Sequence, residues 1–321
     1  MRTLVVLAIA TITVAPSYGN QGIAAGTSAA GETNLRITLL GTGTPGPSIT
    51  RFGPSILVQA GTETLLFDAG RGATIRLTET GVSLRRITAT FLTHLHSDHV
   101  NGLADLWLTG WIPGSFGGRT TPFRIFGPTG TREMMSHLEQ AHAADIRIRT
   151  VDEKLPVEGI AISATDVSEG LVYEQHSVRV VAFDVDHGEH IKPSLGYRID
   201  YGGHAVLLSG DTRYSRNLIK YAKGVDVIVH EVMLATTQQL GTPSIAAGMA
   251  HHTSPEQAGE VFTAVKPRLA VYSHLALFGN STDELIRRTR TTYTGPLEVG
   301  EDLMQIDVAM SPVVRRGQPL R

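Results

Sequence analysis

Thr93-His94-Leu95-His96-Ser97-Asp98-His99 packs three histidines and one aspartate into the six residues from 94 to 99, directly after the apolar run 89–93 and before Val100-Asn101-Gly102. Side chains alternate faces along a strand, so four ligand-type groups at this spacing meet one point only where the backbone turns. A turn lets His94 and His96 approach from one side while Asp98 and His99 swing to the other. That arrangement suits two adjacent metal ions better than one. Imidazole and carboxylate favour zinc and tolerate iron or manganese. The chain has no cysteine, which excludes disulfides, thiolate zinc sites and cysteine nucleophiles. Any metal must then sit on His, Asp or Glu.

Working outward, glycine-punctuated apolar runs predict strands at 35–40, 55–58, 64–67, 89–93, 123–126, 178–183, 196–199, 205–209, 225–229 and 269–272. Helical patterns fall at 131–143, 255–265 and 282–290, with Pro255 in a first turn behind a Ser254 cap. Two groups of strands, each followed by helices, imply two sheets face to face with helices outside. The 321 residues are 41% hydrophobic and 18% charged, enough to bury a sizeable core. A net charge of −2 and 28 scattered basic residues argue against a dedicated nucleic-acid binder. Met1-Arg2, the apolar run 4–15 and Pro16-Ser17-Tyr18-Gly19 have the layout of a signal peptide over residues 1–19, too short to span a bilayer as an ordinary helix. Residues 20–33, mostly Gly, Ala, Ser and Thr, read as flexible linker, and 34–321 as one domain. A periplasmic or secreted protein without membrane attachment is expected.

His94-x-His96-x-Asp98-His99 resembles the signature of the metallo-β-lactamase superfamily, whose fold is an αββα sandwich, and the resemblance covers nearly all of 34–321. Phe67-Asp68-Ala69-Gly70 is similar to that family's early strand-end motif, whose aspartate supports a ligand from behind. His187, Asp211 in Ser209-Gly210-Asp211-Thr212, and His274 follow later apolar runs in the family's order. The resemblance implies that His94, His96 and His187 hold one divalent ion and Asp98, His99 and His274 a second. Asp211 would bridge them. Zinc is the expected metal, with manganese or iron as alternatives. Two such ions about 3.5–4 Å apart would share a hydroxide nucleophile. No protein nucleophile is then required, which fits the missing cysteine and the absence of a Gly-x-Ser-x-Gly elbow.

Four further stretches are similar to the ribonuclease Z-like branch: Leu40-Gly41-Thr42-Gly43-Thr44-Pro45, Pro193-Ser194-Leu195-Gly196-Tyr197-Arg198, His230-Glu231 and His251-His252-Thr253-Ser254. The first lacks the lysine and following helix of a phosphate-binding loop. By this resemblance His252 donates a proton to the leaving group and Glu231 orients it, with His251 the adjacent competitor. Asp98 counts as catalytic as well as ligating. His230 reads as a buried structural histidine, and His137, His142, His176, His190 and His204 as surface or structural. Asp105-Leu106-Trp107-Leu108-Thr109-Gly110-Trp111 holds both tryptophans and reads either as an aromatic wall beside the metals or as helix core.

Substrate is the least constrained expectation. Residues 145–186 carry nine acidic against four basic side chains, a net of −5, where a basic RNA-binding arm would be needed. The exported layout with the Asp105-Leu106-Trp107-Leu108-Thr109-Gly110 stretch resembles bacterial arylsulfatases, which implies an arylsulfatase-like hydrolase of a small sulfate ester or phosphodiester. A lactonase or carboxylic-ester hydrolase is the alternative, ahead of a tRNA 3′-processing endonuclease or a non-catalytic metal-binding module. A small-molecule ester is therefore the expected partner and nucleic acid is not. The resemblance also raises the chance of a homodimer.

Overall fold

The computed structural model describes residues 35–317, so the expected signal peptide and linker lie outside the described residues. The chain first lays down β1 (Leu35–Gly41), β2 (Ser55–Ala60), β3 (Glu63–Phe67), β4 (Ala89–Phe91), β5 (Phe123–Gly127) and β6 (Ile162–Asp166). Next come β7 (Gly170–Gln175), β8 (Val178–Asp184), β9 (Leu195–Tyr201), β10 (His204–Leu208), β11 (Val227–Met233) and β12 (Leu269–Ala276). Three short strands close it: β13 (Leu297–Val299), β14 (Gln305–Asp307) and β15 (Val313–Arg315). They form two sheets, ordered β15-β14-β1-β2-β3-β4-β5-β6 and β13-β12-β11-β10-β9-β8-β7.

Each sheet begins as an antiparallel meander and continues parallel, from β3 to β6 in one and from β10 to β13 in the other. Parallel neighbours need crossovers, and helices supply them. On the first sheet these are α1 (Ala73–Glu79), α2 (Ser97–Val100), α3 (Leu103–Trp111), α4 (Thr131–Ala141), α5 (Ala143–Val151) and α6 (Val157–Ile160). On the second they are α7 (Arg216–Tyr221), α8 (Pro243–Met249), α9 (Pro255–Val265) and α10 (Thr282–Thr289). Ser254 caps α9 as expected and forms a reciprocal capping box with Gln257.

The period-two rule sorts side chains between layers. Leu65, Phe67, Val206, Leu208, Val227, Val229, Leu269 and Val271 point into the space between the sheets. Their neighbours Leu207, Ile228, Ala270 and Tyr272 face α7, α9 and α10, and Leu66 faces the helices of the other side. The central strands of each sheet, such as β3, β11 and β12, are buried on both faces, which gives the expected αββα sandwich. Among the described residues no helix is long and apolar enough to cross a membrane.

The tryptophan stretch is α3, and the aromatic-wall alternative is corrected to helix core. Trp107 and Trp111 are fully buried, and their indole N–H groups donate to the carbonyls of Ile160 and Pro156 at 2.8 Å. Helical spacing puts positions 103, 106, 107, 110 and 111 on one face, and that face packs on the sheet. Helices α5 to α8 and strands β6, β7 and β13 to β15 carry weaker patterns that the sequence reading passes over.

Candidate metal centre

Parallel strands bring their C-terminal ends to one edge of each sheet, and the site lies where the two edges meet. His94, His96, Asp98 and His99 follow β4, and Asp68 follows β3. His187 follows β8, Asp211 follows β10, Glu231 lies in β11, and His274 lies in β12. Two of these positions need unusual backbone. Asp68 has φ 58° and His274 φ 46°. His274 is the extra residue of a bulge, since Glu231 pairs with Ser273 while Val232 pairs with Leu275. The bulge turns a side chain that would lie along the strand towards the site. The Thr42 carbonyl, in the Gly-Thr-Gly stretch after β1, accepts Leu275 N–H at 2.9 Å and pins the far side of the bulge. Gly70 lets the turns after β3 and β4 touch, since a Cβ there would stand 2.5 Å from the Asp98 carbonyl.

Three imidazole nitrogens converge in one group: His96 Nδ1 lies 2.9 Å from His94 Nε2 and 3.3 Å from His187 Nε2. In the other, Asp98 Oδ2 lies 3.6 Å from His99 Nε2 and 3.4 Å from His274 Nε2. Between them, Asp211 Oδ2 stands 3.3 Å from His274, 3.4 Å from His99, 3.8 Å from His187 and 3.9 Å from His94. Tetrahedral ligands at about 2.0–2.1 Å from zinc lie about 3.3 Å apart. Both groups have that spacing. The sequence-expected ligands are thus brought together in the expected two sets with Asp211 between them.

The protonation environment agrees. Burial pushes His94, His96 and His187 below the usual imidazole range, towards the neutral form that binds a metal. Burial opposes the Asp211 carboxylate, but His274 and His99 outweigh it and hold the group well below the carboxylate range. His99 is lowered by burial and raised more strongly by Asp211 and Asp68, so the site calls for positive charge at its centre. His99 Nε2 is buried without a hydrogen-bond partner, aimed at that centre. Two divalent metal ions fit this donor set.

Supporting groups fix which nitrogen each ring presents. Asp68 accepts from His99 Nδ1 at 2.7 Å, from Thr93 N–H at 2.8 Å and from the Thr93 hydroxyl at 2.9 Å. The Thr93 oxygen in turn accepts from His94 Nδ1 at 3.0 Å. His187 Nδ1 donates to the His251 carbonyl at 3.0 Å. Sequence reasoning missed Thr93 and the His251 carbonyl. The first adjoins the motif and could have been found, whereas a backbone carbonyl leaves no trace in the sequence.

The structure also separates the two adjacent histidines. His252 Nδ1 donates to Glu231 Oε2 at 3.2 Å, and its ring packs 5.0 Å from His187 and 5.6 Å from His274. Glu231 Oε1 accepts from the backbone N–H groups of Thr253 at 2.9 Å and Thr212 at 3.3 Å. Burial lowers the His252 pKa, but the Glu231 charge and hydrogen bond, with the Asp211 charge, together outweigh it and raise the pKa to about 9. His251 instead packs beside Gly188. His230 is buried against Phe262.

Comparison with known proteins now applies. Residues 57–275 match the beta-lactamase superfamily domain. A ribonuclease Z of Mycolicibacterium gilvum is 34% identical over 277 residues, covering 85% of this chain and 96% of that one. The chain belongs to the ribonuclease Z-like branch of the metallo-β-lactamase superfamily. Solved structures share the fold at lower identity. A metallo-β-lactamase fold protein of Bacillus subtilis is 18% identical with a TM-score of 0.67, covering 84% of this chain and 98% of that one. The short form of human tRNase Z is 21% identical with a TM-score of 0.64, covering 86% and 100%. The family and the donor set together make the chain a metal-dependent hydrolase.

Relatives named as ribonucleases overturn the expectation of an arylsulfatase-like hydrolase of small esters, its lactone and carboxylic-ester alternative, and the expectation that nucleic acid is not a partner. The charge count behind those expectations fails for a physical reason. The acidic side chains of 145–186 are largely engaged within the fold. Arg149 holds Asp145 and Glu153, Arg179 holds Glu174, and Arg213 holds Asp186. Glu169 accepts from Asn217 and Tyr221, and Asp166 accepts the Arg132 N–H in the first turn of α4. Arg213 and Lys220, which lie outside the counted stretch, face Asp186 and Glu169, so a net charge counted along the chain overstates the negative charge of this part of the fold.

Proposed function

We propose that the protein is an endoribonuclease of the ribonuclease Z type, cleaving a phosphodiester in precursor tRNA with zinc as its metal. The observation that carries this is the near full-length match to ribonuclease Z relatives, 34% identical over 96% of the first. The His252–Glu231 pair beside the donor set supports it, because an RNA alkoxide leaves poorly without a proton.

His94, His96 and His187 would hold one ion, Asp98, His99 and His274 the other, and Asp211 both. Bound there, the ions supply positive charge for the non-bridging phosphate oxygens and lower the pKa of water. The rest falls to the chain. Asp68 and the His251 carbonyl hold the ligand rings in register. His252, kept protonated by Glu231, gives its Nε2 proton to the departing ribose oxygen.

The test is incubation of the metal-loaded protein with a 5′-labelled precursor tRNA carrying a 3′ trailer. The expected result is a single cut at the trailer junction, abolished by His252→Ala. An uncut precursor in the presence of zinc or manganese refutes the reading.

A further inference from the structure

A groove of about 220 Å³ opens from the His94 and His96 side of the metal centre. Those two histidines line it together with Thr129, in the turn before α4, and with His190, Lys192 and Pro193. His190 and Lys192 are both exposed. Lys192 has no carboxylate within ion-pair distance among the described residues; the acid it influences, Asp186, is taken by Arg213 at 2.7 Å. The groove therefore holds an unsatisfied cation next to the reacting centre.

That cation is held by the ligand-bearing frame. The 188–194 loop starts at His187, whose Nδ1 is fixed on the His251 carbonyl. It ends at Ser194, whose carbonyl accepts Val185 N–H at 2.9 Å, and Leu195 N–H donates to the Thr93 carbonyl at 2.8 Å. Both ends are thus tied to strand ends that carry the metal ligands. The loops that leave β1 and β11 at this end of the sandwich carry no charged residue over 43–50 or 232–250. An anionic group of the substrate lying beyond the scissile phosphate meets the Lys192 ammonium in the groove, whose lining excludes the neighbouring Glu189, and uncharged residues over 43–50 and 232–250. His252 stands beside His187 and His274 and does not line the groove. By the role proposed for His252 the leaving group lies beside it, which leaves the groove for the part of the substrate that keeps the cleaved phosphate.

We propose that this groove is a nucleotide subsite in which Lys192, seconded by His190, binds the next phosphate of the strand beyond the scissile one. The proposal rests on the RNA-cleaving reading and specifies which phosphate the chain recognises. It makes Lys192 a positioning residue, and its signature is a preference for a second phosphate.

The experiment is calorimetric titration of the full-length, zinc-loaded protein with thymidine 3′,5′-bisphosphate and with thymidine 5′-monophosphate at low salt. A solvent-accessible ion pair gives a modest preference, so the bisphosphate is expected to bind about fivefold more tightly. In Lys192→Ala the ratio falls to about one, while the monophosphate affinity holds and shows that the fold is intact. Lys192→Arg restores the ratio. Equal affinities in the wild type, or a preference that survives in Lys192→Ala, overturn the subsite. If the precursor tRNA stays uncut while the bisphosphate preference depends on Lys192, the RNA reading fails and the phosphate subsite stands.

Discussion

Replacing Glu231 with glutamine removes one charge from the site and almost no volume. The amide oxygen can still accept from Thr253 and Thr212, which leaves the amide nitrogen facing His252 Nδ1, 3.2 Å away in the wild type. In the wild type burial lowers the ring's pKa, and the Glu231 charge and hydrogen bond, with the Asp211 charge, raise it, for a net rise from 6.5 to about 9. That rise corresponds to about 3 kcal/mol in favour of imidazolium. It is already net of burial, so without the carboxylate the ring falls below 6.5. Two bound cations lower both values together and leave the gap. The assay is kcat/KM against pH on precursor tRNA and on bis-nitrophenyl phosphate. The alkaline limb on RNA is expected to move down by more than two pH units in Glu231→Gln, with a loss of about tenfold or more at pH 7.5. Nitrophenolate leaves unaided, so the diester should lose less than about twofold. An unmoved limb, or equal losses on both substrates, refutes the assignment. The same pair sets a stability window. A raised folded-state pKa stabilises fully below the unfolded value of 6.5, and the contribution is lost as pH rises through about 9. The urea stability advantage of wild type over Glu231→Gln, measured without metal, should shrink across that window.

Two other substitutions probe the frame around the ligands. Asp68→Ala leaves His99 Nδ1 and the Thr93 donors without their acceptor, and zinc affinity in a chelator competition should fall about 10- to 100-fold. Unchanged affinity would mean that Asp68 serves only the fold. Trp107→Phe removes the donor to the Ile160 carbonyl and should cost about 1–3 kcal/mol in urea unfolding with no change in KM. A raised KM at unchanged stability would restore the aromatic-wall reading.

The seven ligand-type residues were legible because each follows a strong apolar run, and of the strands that position them β4, β10 and β12 are largely buried on both faces and β8 on one. Their partition into two sets came from family resemblance, and the 3.3–3.9 Å contacts of Asp211 Oδ2 supply its geometric basis. The choice of His252 over His251 came from the motif resemblance, and its contact with Glu231 is displayed only by the tertiary structure. Helices α5 and α8 escaped notice because neither has a buried residue, so no apolar stripe marks them. Asp302 escaped for a different reason. It reads as an ordinary late aspartate, yet it accepts from Thr42 N–H at 2.9 Å and Phe52 N–H at 2.7 Å and pairs with Arg76 at 3.1 Å. Contacts spanning more than 200 positions leave no local pattern to read.

The site is assembled by backbone that its own local sequence disfavours. Asp68 and His274 are non-glycine residues at φ 58° and 46°, a conformation that costs L-residues of order 1 kcal/mol or more each. Each is held by a long-range hydrogen bond: Asp68 N–H to the Phe91 carbonyl at 2.8 Å, and Leu275 N–H, next to His274, to the Thr42 carbonyl at 2.9 Å. The bonds that aim the ligands are therefore the same bonds that join strand ends within and between the two sheets. Loosening the sandwich loosens the donor set, and filling the donor set tightens the sandwich, so metal affinity and fold stability are linked quantities here. This linkage explains why a polar cluster of seven ligand-type side chains, six of them almost fully buried, can persist at the meeting edge of two apolar sheets. Without cations the cluster leaves His99 Nε2 unpartnered and holds the Asp98 and Asp211 carboxylates buried among imidazoles that burial pushes towards the neutral form. With them, each lone pair has a partner and the buried charge is balanced.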